Sequence, residues 1–415
     1  MASNDDTGQP VQPVPRVTAT DLIHHGYEPP GGFKSVVPGI FKASTVIFEN
    51  TAALRSRQWK DKSGYTYGLH GTPSTFTLEE RLSTLEGGTR TLLVPSGLAA
   101  IGVVGLSLLR PGDEVLIPDN AYGPNKDFAR GELKQWGIEH HFYDSQDAAS
   151  LEGVINERTR LVWLEAAGSV TLEFPDLAGL LAVARRHPRI TVALDNTWGA
   201  GLAFNAFAIP TPDGAKAVDI SIHALTKYPS GGGDVLMGAI TTRDPAMHHQ
   251  LNMTHMRLGL GVGANDVEGI LRGLASMPLR YAAQDAAARR IAGWCEGRHE
   301  FAQVLHPALP KSPGHAHWAA SCRAAAGLVS VVFDGARYSA QQVDAFVDAL
   351  QLFKIGYSWG GPVSLVVPYE LQGMRRHGPF ARQQGTLVRF AIGLEQVDDL
   401  IGDLTRALQA LGKPA

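Results

Sequence analysis

From about residue 90 the chain alternates short runs of Val, Ile and Leu with helix-length amphipathic stretches, and no other feature restricts the fold as strongly. The apolar runs are TLLVPSG (91–97), DEVLIPDN (113–120), IEHHFYD (138–144), RLVWLEAAGS (160–169), ITVALDNTW (190–198), VDISIHALTKY (218–228) and VLMGAITT (235–242). PNKDFARGELKQW and PDLAGLLAVARRH are typical of the helical stretches between them. Strands apolar on both faces and separated by helices predict an α/β fold: a large, mostly parallel sheet covered by helices. In such sheets chemistry collects just past the carboxyl ends of the strands.

Beyond about residue 265 the texture changes to a long Ala- and Arg-rich helical stretch, followed by strand candidates at 327–335 and 385–395 and a closing helix near 396–411. The expected organisation is an N-terminal arm over residues 1–65, a large α/β domain over 66–275 and a smaller α/β C-terminal domain over 276–415. The arm's beginning, MASNDDTGQPVQPVPRV, is polar and proline-bearing, so roughly the first 20 residues are expected to be flexible. It lacks the basic start and apolar run of a signal peptide, and no window matches a membrane helix.

Lys plus Arg number 37 against 40 Asp plus Glu, a formal charge of −3 that argues against a broadly basic surface for nucleic acid or anionic membrane. The two cysteines, Cys295 and Cys322, are too few for a disulfide scaffold and suit a cytoplasmic protein.

Several residues fall where the fold would place chemistry. Lys227 ends an apolar strand, in a chain with only 11 lysines. A lysine there can form a Schiff base with a carbonyl if its surroundings free the amine; it equally reads as a strand-end lysine reaching solvent. Asp195 ends the run VALDNTW. A carboxylate at that depth needs a cation or several hydrogen bonds, and a pyridinium nitrogen would serve, as would a structural helix cap. SGLAAIG (96–102) turns from strand to helix, so Ser96, Gly97 and Leu98 can offer amides and a hydroxyl to an anion, although such turns are common without ligands. Tyr122 and Trp198 can stack on a flat ring or simply pack. Arg389 is a lone cation in an apolar strand and needs an anion, either a substrate carboxylate or an internal partner.

Other patterns are missing: there is no G-x-G-x-x-G, P-loop or H-E-x-x-H. The adjacent histidine pairs (24–25, 140–141, 248–249) read as strand neighbours on opposite faces, so no dedicated metal site is expected.

The order of a glycine turn, a tyrosine, a strand-end aspartate, a Thr-Lys and a late arginine resembles the Cys/Met-metabolism family of pyridoxal-phosphate enzymes. The matching stretches are YGLHGTPSTFTLEERLSTLEGG (67–88), VPSGLAA (94–100), NAYGPNKDF (120–128), LDNTWGAG (194–201), HALTKY (223–228), YSWGG (357–361) and RFAIGLEQVDDLI (389–401). The resemblance covers nearly all of residues 35–410.

The resemblance implies a fold-type I pyridoxal-phosphate transferase-like architecture and pyridoxal 5'-phosphate as cofactor. By it, Lys227 holds the cofactor and shuttles the Cα proton, Asp195 pairs with the pyridine nitrogen, and Tyr122 stacks on the ring. Ser96, Gly97, Leu98 and Thr226 belong to the cofactor site, the last three on the phosphate, while Arg389, Ser358 and Trp359 grip the substrate carboxylate. Tyr67 is implied to reach the cofactor phosphate of a neighbouring subunit, in a homotetramer with sites at dimer interfaces. The implied partner is a small amino-acid thioether, with no nucleic acid and no membrane.

The implied reaction is carbon–sulfur β-elimination from L-cystathionine or a similar cysteine S-conjugate. YSWGG and Ala224 favour it, since γ-acting relatives usually read S-L-G-G and carry Ser three residues before the lysine. γ-Elimination or γ-replacement within the family is the alternative, and a non-catalytic binding protein on the same scaffold a minor one. One departure is Leu69, followed by His70, where the family usually places a phosphate-binding arginine.

Overall fold

The computed structural model describes residues 17–27, 36–58, 62–211, 214 and 216–413. The expected flexible start falls almost wholly on residues 1–16, outside the described residues.

Seven strands build the first sheet: β1 (Arg90–Val94), β2 (Glu114–Pro118), β3 (Glu139–Tyr143), β4 (Thr159–Glu165), β5 (Thr191–Asp195), β6 (Ile220–Ala224) and β7 (Gly238–Thr242). Their order is β1-β7-β6-β5-β4-β2-β3. The pairs β3–β2, β2–β4, β4–β5 and β5–β6 are parallel, and only β7 runs antiparallel to its neighbours β1 and β6. Burial explains the continuous apolar runs: Val115, Leu116, Ile117, Leu161, Val162, Val192, Ala193 and Leu194 are all inaccessible to solvent.

The second sheet comprises β8 (Gln303–Leu305), β9 (Leu328–Phe333), β10 (Lys354–Ile355), β11 (Leu365–Glu370) and β12 (Thr386–Ala391), ordered β10-β11-β12-β9-β8. β12 is central, antiparallel to both β11 and β9, which is why Arg389 lies deep in the structure.

One helix, Ala264–Glu296, runs across residue 275 and joins the two halves. Val267, Ile270, Leu271, Leu274, Met277 and Tyr281 pack into the core of the first sheet. Further along, Ala287, Ala288, Ile291, Ala292 and Cys295 pack into that of the second. Both cysteines are unpaired.

The histidine pairs need correction. Only His140 and His141 lie on a strand, β3; His24 caps the short helix Ala19–Ile23, and His248 and His249 lie inside the helix Pro245–Leu258. Asp244 starts that helix by accepting the Ala246 amide at 2.8 Å, and Pro245 at its first position presets the backbone.

Candidate active site

The carboxyl ends of β1, β4, β5 and β6 open onto a cavity of about 190 Å³. Its walls include Ser96, Gly97, Leu98, Tyr122, Asp195, Thr226, Lys227, Trp359 and Arg389, so nine of the eleven residues that the family resemblance assigns to the site meet in one place. Ser358 touches the site through Lys227, whose Nζ donates to its Oγ at 3.0 Å. Tyr67 does not line this chain's cavity and is 46% exposed.

Each side chain is placed by local structure. Ser96 caps the helix Gly97–Leu108, its Oγ accepting the Ala99 amide at 3.0 Å while its carbonyl accepts the Ala100 amide. The Gly97 and Leu98 amides, the first two of the helix, therefore have no intrahelical partner, and both residues line the cavity. A Cβ on Gly97 would come within 2.7 Å of the Ala224 Cβ, so the turn can sit this close to β6 only with glycine there. Thr226 exchanges weak hydrogen bonds with the backbone of Met237 at 3.3 and 3.4 Å, which pins the turn before Lys227.

The Lys227 amine sits 4.4 Å from the centroid of the Trp359 ring as well as against Ser358. Burial lowers it from the usual lysine range, Arg389 lowers it further and Asp195 opposes them, leaving it at about 8. The YSWGG loop reaches the lysine because of Gly360. With φ 80°, a Cβ there would meet the Tyr228 amide nitrogen at 2.8 Å and the Lys227 carbonyl carbon at 3.0 Å.

Asp195 accepts the Thr197 amide at 3.0 Å and has no cation within salt-bridge distance among the described residues. Burial holds its carboxyl above the usual range, more than the Thr197 bonds and the nearby His223 offset. On the far side of the cavity Arg389 is 5% exposed, its Nε has no partner, and no carboxylate among the described residues pairs with it. The Trp359 and Tyr369 rings flank it, with centroids 5.4 and 5.5 Å from the guanidinium carbon. Among the described residues, the internal salt bridge that the sequence left open is therefore not formed.

Two residues of the site were not singled out. Glu165 ends β4 directly beside Asp195 on β5 and lines the same cavity. Its signal was available, a carboxylate closing an apolar strand just as Asp195 does, but its run continued without a break into AAGS. Tyr369 lies on β11, a strand interrupted by Pro368 and hidden for that reason. Trp198 also lines the cavity, and its buried indole nitrogen has no partner.

These features fit pyridoxal phosphate: amides for a phosphate, a carboxylate lacking a cation, an amine poised to lose its proton, and a guanidinium with no carboxylate partner among the described residues. An α/β scaffold with this set at the carboxyl edge of its sheet defines the fold-type I pyridoxal-phosphate enzymes. The chain belongs to one family among them, the Cys/Met metabolism PLP-dependent enzymes, whose model matches residues 19–409. It is 38% identical to the cystathionine beta-lyase of Bordetella avium over 398 residues, covering 94% of this chain and 96% of that one. A cystathionine gamma-synthase from Mycobacterium leprae is 30% identical over 391 residues, covering 94% and 96%. Among solved structures, metB from Corynebacterium glutamicum superposes with a TM-score of 0.84 at 27% identity, covering 95% of this chain and 98% of that one.

Proposed function

We propose that this enzyme is a carbon–sulfur β-lyase, converting L-cystathionine or a similar cysteine S-conjugate and water to a thiol such as homocysteine, pyruvate and ammonia. The observation that carries the reading is the convergence of Lys227, Asp195, the Gly97 and Leu98 amides and Arg389, which has no carboxylate partner among the described residues and an unpartnered Nε, on one cavity. Pyridoxal phosphate, when bound, supplies the electron sink that acidifies a substrate Cα–H and lets a group depart from Cβ.

The chain's own groups do the rest. The helix-start amides of Gly97 and Leu98 bind phosphate, and Asp195 compensates a protonated ring nitrogen. Tyr122, 40% exposed at the cavity, offers a ring face for stacking. Arg389 holds the substrate carboxylate in a fork, with Trp359 over one side excluding water. With a pKa near 8, Lys227 Nζ can take a proton at Cα and deliver it to the departing sulfur at neutral pH.

Trp359, stacked beside the reacting amine, and the methyl of Ala224 favour β- over γ-chemistry. Incubation with L-cystathionine and identification of the keto acid tests this: pyruvate is expected, and 2-oxobutyrate would establish γ-elimination instead.

The proposal extends to assembly and location. Tyr67, which does not line its own chain's cavity, is assigned to a neighbour's cofactor phosphate in a homotetramer with sites at dimer interfaces. Exposed apolar residues on the arm, Val36 at 101%, Val37 at 57% and Ile47 at 92%, support a subunit contact. Light scattering should find a tetramer; a monomer that retains full activity would refute the shared site. No helix among the described residues is long and apolar enough to cross a membrane, and the two unpaired thiols suit the proposed cytoplasmic location.

A further inference from the structure

Glu165 and Asp195 are register partners on the parallel strands β4 and β5, so their side chains leave the sheet on the same face about 5 Å apart at the backbone. Both line the cavity, and Glu165 is 9% exposed. Neither has a salt bridge among the described residues. The cations nearest Glu165 are used elsewhere: Lys126 Nζ donates to the Asp119 carbonyl at 2.8 Å, and Arg375 donates to the Ser169 carbonyl and to Thr171 Oγ1. Arg375 also faces Glu173 at 3.8 Å.

Two neighbouring carboxylates in one water-poor pocket cannot both be anions at low cost. The ligand that enters brings one cationic ring nitrogen, and Asp195 is the residue left without any cation-like partner but the Thr197 donors. Glu165 already has a task. Its Oε2 accepts the Tyr122 backbone amide at 2.8 Å, and Tyr122 starts the helix Gly123–Phe128 with no side-chain cap of its own. A neutral carboxyl still accepts that amide through its carbonyl oxygen, less strongly than a carboxylate would. Burial first, then Asp195, pushes the Glu165 carboxyl well above the usual range, against the smaller pull of the Tyr122 amide, Arg375 and Lys126. Tyr122, the other titratable group facing it, is itself raised by burial and by both carboxylates.

We propose that Glu165 is a positioning residue, kept neutral beside Asp195, that fixes the turn carrying the Tyr122 ring into the cofactor cavity by accepting the Tyr122 amide. It acts on cofactor binding through Tyr122 and contributes no charge. The aspartate is thereby the single anion at the ring-nitrogen end of the cavity.

Titration of cofactor-free protein with pyridoxal phosphate, without substrate, tests this independently of the lyase reading. Glu165→Gln keeps shape and acceptor, so its cofactor affinity should stay within about threefold of wild type across the neutral pH range. Glu165→Ala leaves the part-buried Tyr122 amide without its acceptor and should weaken binding about tenfold; if it does not fold, Glu165→Met, which fills the space without an acceptor, takes its place. In a Tyr122→Ala background the same change should cost less than about threefold more, because the residue it serves is gone. Gln as damaging as Ala would show that the charge is required and overturn the proposal. So would an Ala variant that binds like wild type, or losses that simply multiply in the double variant.

Discussion

Lys227 Nζ donates to Ser358 Oγ at 3.0 Å, and Ser358 adopts φ 122°, a backbone region that favours glycine. The lysine follows a strand of the first sheet and the serine precedes β11 of the second, so the two halves of the fold meet at the reactive amine. Holding a serine at that φ costs of order 1–3 kcal/mol. Ser358→Gly should therefore be about 1 kcal/mol more stable than Ser358→Ala, both lacking the hydroxyl. Denaturant unfolding of the two variants measures it, and an alanine variant at least as stable as the glycine one would contradict the strain.

The Lys227 amine at about 8 sets a pH dependence. Cofactor capture by the cofactor-free protein should accelerate as pH rises through 8 and then level off, as the neutral amine becomes the dominant form. Because Arg389 lowers this value, Arg389→Leu should move the midpoint upward. The folded amine holds its proton less tightly than the unfolded one, so between 8 and the ordinary 10.5 the stability of the cofactor-free protein should rise with pH. Stopped-flow absorbance reads the first effect, and a midpoint near 10.5 would mean an unperturbed lysine.

Arg389 should separate substrate binding from cofactor binding. Arg389→Leu removes a charge-assisted hydrogen-bonding fork worth about 1.5–3 kcal/mol, which predicts a KM increase of about 10- to 150-fold. Arg389→Lys keeps the charge but not the fork and should recover only part of it. Steady-state kinetics at saturating cofactor provides the comparison; unchanged KM would place the carboxylate elsewhere.

Asp195→Asn should have opposite effects on stability and on cofactor retention. Burial raises the Asp195 carboxyl above its usual value, so the folded chain binds that proton more tightly than the unfolded one. The group thus destabilises the cofactor-free protein progressively as pH climbs from the ordinary carboxylate range through the raised value. At neutral pH the asparagine variant should melt at a higher temperature than wild type without cofactor and yet bind pyridoxal phosphate more weakly. A variant less stable without cofactor would contradict the uncompensated charge.

Much of the first sheet was legible because buried parallel strands have to be apolar on both faces, and each of its seven runs overlaps an observed strand, β1 and β4 beginning one residue before their runs. The carboxyl-edge residues Lys227 and Asp195 were legible for a related reason, as charged groups closing apolar runs. Legibility failed where local chemistry hides the element. β8 and β10 are too short to show a period, β11 contains Pro368, and the helix Pro245–Leu258 carries histidines that mimic a polar–apolar alternation. Glu165 escaped because its importance lies in a register, its place opposite Asp195, that no single strand reveals. Ser358 could be named from its motif, but its bond to Lys227 depends on Gly360 allowing two distant segments to touch.

The most direct test of the site is borohydride reduction of the cofactor-loaded protein, followed by digestion and mass mapping. The cofactor should be found fixed to the peptide containing Lys227 and be lost from it in Lys227→Ala. Cofactor fixed to a different lysine, or none fixed in a protein that holds the cofactor tightly, would contradict the assignment of Lys227 as the reactive amine.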